Sequence, residues 1–223
     1  MKNQPYYFEI KDVVTQFVAA FDDVVIDRYN RGRDVVDKIQ VRYLYAPKQR
    51  VVHDLINKAQ HITLPAVAIS IARVSRDENR VFNKLIGLYD SVQPGSTTEF
   101  LPPPVPINID INMSIITKFQ TDMDQILSNF MPYANPYIVI SWPVPSKLTN
   151  QVTEIRSEVL WDGTVSLTYP EDLDATTSYR VTADTTFTIK GWVFPYATQS
   201  QLSAANIFTI TTNFTPVSGF DYI

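Results

Sequence analysis

Apolar residues recur along this chain at two periods, and the alternation between them marks out its elements. Ile10, Val13, Val14, Phe17 and Phe21 lie one or two helical turns apart, which gathers them on one face of an amphipathic helix. From Val24 to Tyr29 the pattern shortens to that of a strand. Asn30-Arg31-Gly32-Arg33 reads as a turn, because Asn and Gly tolerate positive φ. Ile39, Val41, Tyr43 and Tyr45 then alternate with Gln40, Arg42 and Leu44, which predicts a strand with one face mostly buried. These two strands are expected to pair as a hairpin. Pro47 suits the first turn of a helix, where its missing N–H costs nothing, and Val51, Val52, Leu55, Ile56 and Ala59 follow at helical spacing.

Ala66 to Val74 carries Val67, Ile69 and Ile71 on one face and Ala66, Ala68, Ser70 and Ala72 on the other. It reads as a central strand covered on both sides, its small face close to a helix. The strongest alternation comes at Val105, Ile107, Ile109, Ile111, Met113 and Ile115, separated by Pro106, Asn108, Asp110, Asn112 and Ser114. That is a long strand with one dry and one wet face. Thr121 and Asp124 resemble a capping box with Asp in place of Glu or Gln. They would open a helix whose stripe is Met123, Ile126, Leu127, Phe130 and Met131, ended by Pro132. Tyr137 to Ser141 is a short strand stopped by Trp142-Pro143 and Pro145, and Val152 to Leu160 is another. Asp162-Gly163 marks a turn. Val181, Ala183, Thr185, Phe187 and Ile189 alternate with polar residues and lead into Gly191-Trp192-Val193-Phe194-Pro195. Phe17, Ile69, Ile111, Ile126 and Phe187 are the expected core, whereas Asp110 and Asn112, on the wet face, are expected to tolerate substitution.

Two stretches are less regular. Residues 75–104 open on the charged Ser75-to-Arg80 run and close on Glu99-Phe100-Leu101 and Pro102 to Pro104, which favour polyproline II. They read either as an exposed loop or as an arm that touches a neighbouring subunit. Ile207 to Phe214, rich in Ile and Thr, reads as an edge strand or a tail. The fold class is α+β: one mixed, largely antiparallel sheet with about three packed helices, plus extended loops or arms. The expected organisation is a domain over residues 1–195 and a C-terminal edge strand or arm over 196–223.

Composition narrows the chemistry. With 223 residues, 45% of them hydrophobic, the chain can bury a substantial core. Its net charge of -4 argues against a duplex-wide grip on nucleic acid. The absence of cysteine excludes disulfides and thiolate metal sites and fits folding in a reducing cytoplasm. No run approaches the ~20 apolar residues of a membrane helix, and the N-terminus does not read as a secretory signal. His53 and His61 do not share a helix face, so a joint metal site is not expected. Asp122 and Asp124 suit a first helical turn, where acids complement the macrodipole. Glu9, Glu78, Glu99 and Glu154 are scattered, and nothing pairs them as acid and base. Neither a phosphate-cradling Gly loop nor a nucleophile elbow is present. Catalytic, metal and cofactor residues are therefore expected to be none. Arg28, Arg31 and Arg33 beside Tyr29 read as a solvated turn or a salt-bridging rim at a protein interface. Trp142, Trp161 and Trp192 read as core plugs or contact anchors.

Several ordered segments together resemble a known family. They are the aromatic start Tyr6-Tyr7-Phe8, the Val41-to-Lys48 strand and helix start, the Leu64-Pro65 strand, and Ile111 to Pro132 with Ser114-Ile115, Thr117 and Asp122-Met123. The Thr188-to-Pro195 close through Gly191-Trp192 completes the set. In this order they resemble the tail completion and sheath stabiliser (tail terminator) proteins of T-even-type contractile-tailed phages. The long Pro-rich C-terminal extension of the type member has no counterpart, so its contacts are not carried over. The resemblance implies a structural subunit, not an enzyme, made in the host bacterial cytoplasm and built into the virion at the head-proximal end of the tail. It implies a homohexameric ring whose partners are the tail tube protein, the tail sheath protein and neck or head-completion proteins, with no membrane and no sequence-specific nucleic acid. Arg31, Arg33, Phe100, Pro103, Trp192, Phe194, Ile207 and Ile210 are the candidate interface residues. Two other readings stay open: another neck or baseplate structural protein, or a β-rich glycan-binding module with exposed Trp and Tyr stacking on sugars.

Overall fold

A computed structural model describes residues 6–57, 63–81, 88–89, 100–101, 103–144, 154–170 and 180–195. The chain divides into two units, one of residues 1–82 with 104–194 and one of residues 83–103 with 195–223. In chain order the elements are α1 (Glu9–Ala19), β1 (Val25–Tyr29), β2 (Val35–Gln40), β3 (Arg42–Tyr45), α2 (Lys48–Asn57) and β4 (Ala66–Arg76). They continue with β5 (Leu88–Tyr89), β6 (Phe100–Leu101), β7 (Val105–Thr117), α3 (Gln120–Ala134) and β8 (Ile138–Pro143). The last are β9 (Glu154–Trp161), β10 (Ser166–Thr168) and β11 (Val181–Val193). In the second unit, β5 and β6 pair as a short antiparallel ribbon.

The spine of the first unit is the antiparallel pair β7 and β11, thirteen residues each, matched from Val181 opposite Thr117 to Val193 opposite Val105. This register sets Ala183, Phe187 and Ile189 beside Ile115, Ile111 and Ile109, so both strands present their apolar residues to one face. The sheet runs β3-β4-β7-β11-β9-β8, with β10 also on β11. Only β3 and β4 are parallel, which makes the sheet mixed and largely antiparallel. Helices α1 and α3 serve the apolar face, and α2 is the crossover between the parallel strands. Phe17, Ile69, Ile111, Ile126 and Phe187 are all buried. Around Phe187 the rings of Phe17 and Phe21 stand 5.4 Å away and that of Phe130 6.4 Å.

The double cover expected for β4 holds from Ala66 to Ile69, where Ala68 meets Val51 of α2 and Ile116 of β7. Past Ile71 the register slips by one at a bulge, β3 no longer flanks the strand, and residues 72–74 are exposed.

Several local expectations need correction. The alternating run from Ile39 to Tyr45 is not one strand. It breaks at the buried Val41, whose N–H bonds to Val24 O, so that β2 pairs with β1 while β3 joins the main sheet. The hairpin turn takes its positive φ at Arg33, at 64°, not at Asn30 or Gly32. Asn30 works instead through its side chain, whose Oδ1 accepts the Asp34 N–H at 3.0 Å. The capping box does not form: Phe119 is the N-cap of α3 with no side-chain bond, and Asp124 accepts from Gln120 instead. Pro132 does not end α3, which runs two residues further. Trp142 and Pro143 do not stop β8 but complete it, paired with Ile155 and Glu154.

The wet face also divides. Asn112 is exposed, and Asn112→Ala should change stability by no more than the usual surface range of about ±0.5 kcal/mol in thermal melts. Asp110 is not a bystander. It accepts from Arg73 Nε at 2.9 Å and Thr188 Oγ1 at 2.9 Å, tying β4 to β11 across β7. Asp110→Ala is expected to lower stability measurably more than Asn112→Ala in the same melts.

Candidate functional site

Away from α2, one face of the sheet carries no α-helix among the described residues, and side chains from four strands meet there. From β7 come Asn108, Asp110 and Asn112, from β11 Thr186, Thr188, Lys190 and Trp192, from β4 Arg73, and from β9 Arg156 and Glu158. The centre of this face is Asp77, which follows β4 and is only 5% exposed. It accepts from Arg80 Nε at 2.7 Å, from Asn79 N–H at 3.1 Å and from Lys190 Nζ at 3.3 Å. Arg80 also donates to Ile107 O at 2.9 Å and lies 4.8 Å over the ring of Trp192. The hydrogen bond from Arg80, with that from Lys190 and its positive charge, holds the Asp77 carboxyl at about 2 against the opposing pull of burial.

A pH dependence follows from that shift. A carboxyl ionised more readily folded than unfolded stabilises the fold above its unfolded value of 3.8, and the contribution fades as pH falls towards 2. Wild-type melts should therefore lose stability between pH 4 and 2, measured against Asp77→Asn, whose slope there should be smaller.

A second polar cluster lies further along the same face. Asp184 receives Lys48 Nζ at 2.6 Å and Ser114 Oγ at 2.6 Å, and Lys48 also reaches Thr182 Oγ1 at 3.3 Å. The pair lines a concavity of about 370 Å³ shared with Asp162, Thr164 and Ser166. Gly163, in the adjoining turn, has φ +82, so Gly163→Ala should destabilise by about 1–2 kcal/mol, readable in a urea melt. A third feature is apolar: α1 and Tyr45 of β3 line a groove of about 600 Å³. Behind it the Tyr43 hydroxyl is pushed above its ordinary range, first by burial and then by the charge of Asp22.

The residues singled out in the sequence do not converge on one place. Arg31 and Arg33 stand exposed on the β1–β2 turn. Arg28 turns inward to Asp122, 3.5 Å away, and lies 5.1 Å over the Phe119 ring. Trp192 is half-buried under Arg80, so one face of its ring is occupied. Phe194 is 6% exposed, beside the core residue Trp142, and presents little surface. Phe100 is in β6 and Pro103 is in the same unit. Ile207 and Ile210, with the whole 196–223 segment, lie outside the described residues, as do His61 and Glu99. Asp122 and Asp124 are engaged separately, with Arg28 and with Gln120. His53 Nδ1 is 3.6 Å from Asp54. Among the described residues there is no cluster of three His, Cys, Asp or Glu, and no helix long and apolar enough to cross a membrane.

Sequence reading missed three groups that the fold brings together. Asp77, Arg80 and Lys190 meet although Lys190 is over a hundred residues away. Lys48 and Asp184 meet across a similar gap. Gln125 of α3 bonds both the N–H and the C=O of Asp27 in β1, at 2.9 and 2.8 Å, standing in for a strand. The one available signal was a charged residue placed mid-strand, at Asp184 and Lys190. Comparison with curated proteins gives no significant match. A family model described as T4-like virus Myoviridae tail sheath stabiliser matches residues 5–219, and on that span the chain belongs to this family of tail sheath stabilisers.

Proposed function

We propose that this chain is a non-enzymatic subunit of a hexameric ring on the head-proximal end of a contractile tail. The ring halts growth of the tube and sheath and offers the surface on which the neck docks. The observation that carries this reading is the family match over residues 5–219. A ring is built from one heterologous contact repeated until rotation closes it, so each subunit needs two different complementary patches. Residues 1–195 serve as the body and 196–223 as an arm. The exposed turn with Arg31 and Arg33, the unit holding Phe100 and Pro103, Trp192 near the end of β11, and Ile207 and Ile210 of the arm supply the contacts. The sheath, the tube and the neck or head-completion proteins are the partners, and no cofactor takes part.

Tails made with and without the protein test this reading. Imaging should show six copies in one ring at the head-proximal end, and tails lacking it should carry unstable or overgrown sheaths. A different copy number there, or normal sheaths without the protein, would overturn it.

A further inference from the structure

We infer that the tip of the β1–β2 ribbon of one copy of this chain seats in the groove between α1 and Tyr45 of the next copy, with Arg31 and Arg33 against Asp22 and the tyrosine rings there. This rests on the ring reading above and names the contact that closes the ring. Residues 29–38 are all exposed. They form the far end of the ribbon, where Tyr29 pairs with Val35, so that their side chains stand together, and Val36 follows at 69% exposure. Exposed apolar side chains grouped in this way mark a contact surface. The turn between them carries two arginines against one aspartate, and the Asp34 carboxylate is held by Asn30 Nδ2 at 3.2 Å. Among the described residues neither Arg31 nor Arg33 is in an ion pair.

The groove offers the complement. Ile10, Val14 and Val18 of α1 form its apolar wall, and the exposed rings of Tyr6 and Tyr45 stand beside them. Asp22 is the carboxylate of the lining; it is exposed and, among the described residues, in no ion pair. The exposed Asp23 adds a second negative charge next to it. Lys11, the cation of the lining, is drawn aside, its Nζ 5.6 Å over the ring of Phe8. A guanidinium is held by a carboxylate through charge-assisted hydrogen bonds and by a tyrosine face through the ring quadrupole, and this groove presents both. Tyr29, Val35 and Val36 then cover the apolar wall and take surface of both copies out of water.

The tip does not occupy its own groove, since all of its residues are exposed. Ile26 is buried, Arg28 pairs with Asp122, and Gln125 takes both peptide groups of Asp27, which fixes the near half of the ribbon to α3. The turn is closed by the Arg33 N–H to Asn30 O at 3.1 Å and the Asp34 N–H to Asn30 Oδ1 at 3.0 Å. Tip and groove are two different preformed patches on the same unit of the chain. Preformed patches lose little freedom when they meet. Seating each tip in the next groove repeats one heterologous contact in a single direction, as a closed ring requires.

The absence of cysteine makes the test direct. Chains carrying Thr15→Cys, an exposed residue of the groove, and differently tagged chains carrying Val36→Cys are mixed, assembled on tails and treated with a short bifunctional thiol cross-linker. The expected result is a covalent pair bearing both tags. Arg31→Glu with Arg33→Glu in the Val36→Cys chain should remove most of that pair, and Asp22→Lys in the Thr15→Cys chain should restore it, because like charges set against each other across a contact repel. These positions are all exposed, so the fold is not at stake. Absence of a mixed-tag pair, as when the sheath or tube protein fills the groove, would overturn the inference. So would a pair that survives the charge reversal or stays lost after Asp22→Lys. Ring images of the same samples separate the two ideas: rings without the pair sink this inference alone, the pair without rings sinks the ring reading alone, and neither sinks both.

Discussion

Phe187→Ala should unfold this protein at a far lower denaturant concentration than wild type, with a loss of about 3–5 kcal/mol. Phe187 is 1% exposed and sits mid-strand in β11, opposite Ile111 of β7 and Trp161 of β9. Its ring faces Phe17 edge-on, meets Phe21 and Phe130, and so joins α1 and α3 to the sheet. Truncation removes the transfer energy of one aromatic ring and leaves a cavity whose walls come from three elements. Those walls cannot collapse together without moving a helix, which places the cost at the upper end for such substitutions. Phe187→Leu should recover much of the loss by refilling the space. Equilibrium urea unfolding of the three chains checks the order. Equal midpoints for wild type and Phe187→Ala would show that this ring cluster is not the centre of the core.

Trp142→Ala should cost a similar amount, about 3–5 kcal/mol, but for two separable reasons. Trp142 is 1% exposed and packs its ring towards Phe194, 6.4 Å away. Its Nε1 also donates to Ser157 Oγ at 2.8 Å, and Ser157 is itself 2% exposed. Trp142→Phe keeps most of the apolar volume yet leaves the serine hydroxyl without this donor, at about 1–3 kcal/mol. Trp142→Phe with Ser157→Ala should regain part of that, because both polar partners then leave together. If the double variant is no more stable than Trp142→Phe, the bond between β8 and β9 contributes little and packing explains the whole effect.

Much of the architecture was legible because burial follows period. The β7 alternation is dry on one side from Ile107 to Ile115, as its sequence predicts, and of the stripe Ile10, Val13, Val14, Phe17 and Phe21 all but the half-buried Ile10 are buried, Phe21 lying just past the end of α1. What was not legible depends on partners distant in sequence. The run Ile39 to Tyr45 keeps its alternation while changing sheets at Val41, since each half finds a different neighbour and a local pattern cannot record that. Pro132 lies inside α3, whose last turn carries it through to Ala134, so a residue that usually marks an end was misleading. The polar clusters were invisible for a related reason. Asp77 lies in a charged run that reads as solvated until β11 brings Lys190 beside it. Trp192 read as a core plug or a contact anchor, and only the fold shows Arg80 over its ring.

The Gln125 amide has a bearing on strand addition at the β1–β2 ribbon. Bonded to both peptide groups of Asp27, it closes the outer side of β1 with a helix. On the other side of the hairpin, the Lys38 N–H is taken up by Asp37 Oδ1 at 2.8 Å. The β1–β2 ribbon, with Val35 and Val36 exposed on it, thus has a helix against one margin and one N–H of the other margin occupied. Ribbons whose margins stay open can pair edge to edge with further chains. Closing such positions leaves fewer unpaired main-chain groups on which a further strand could be added.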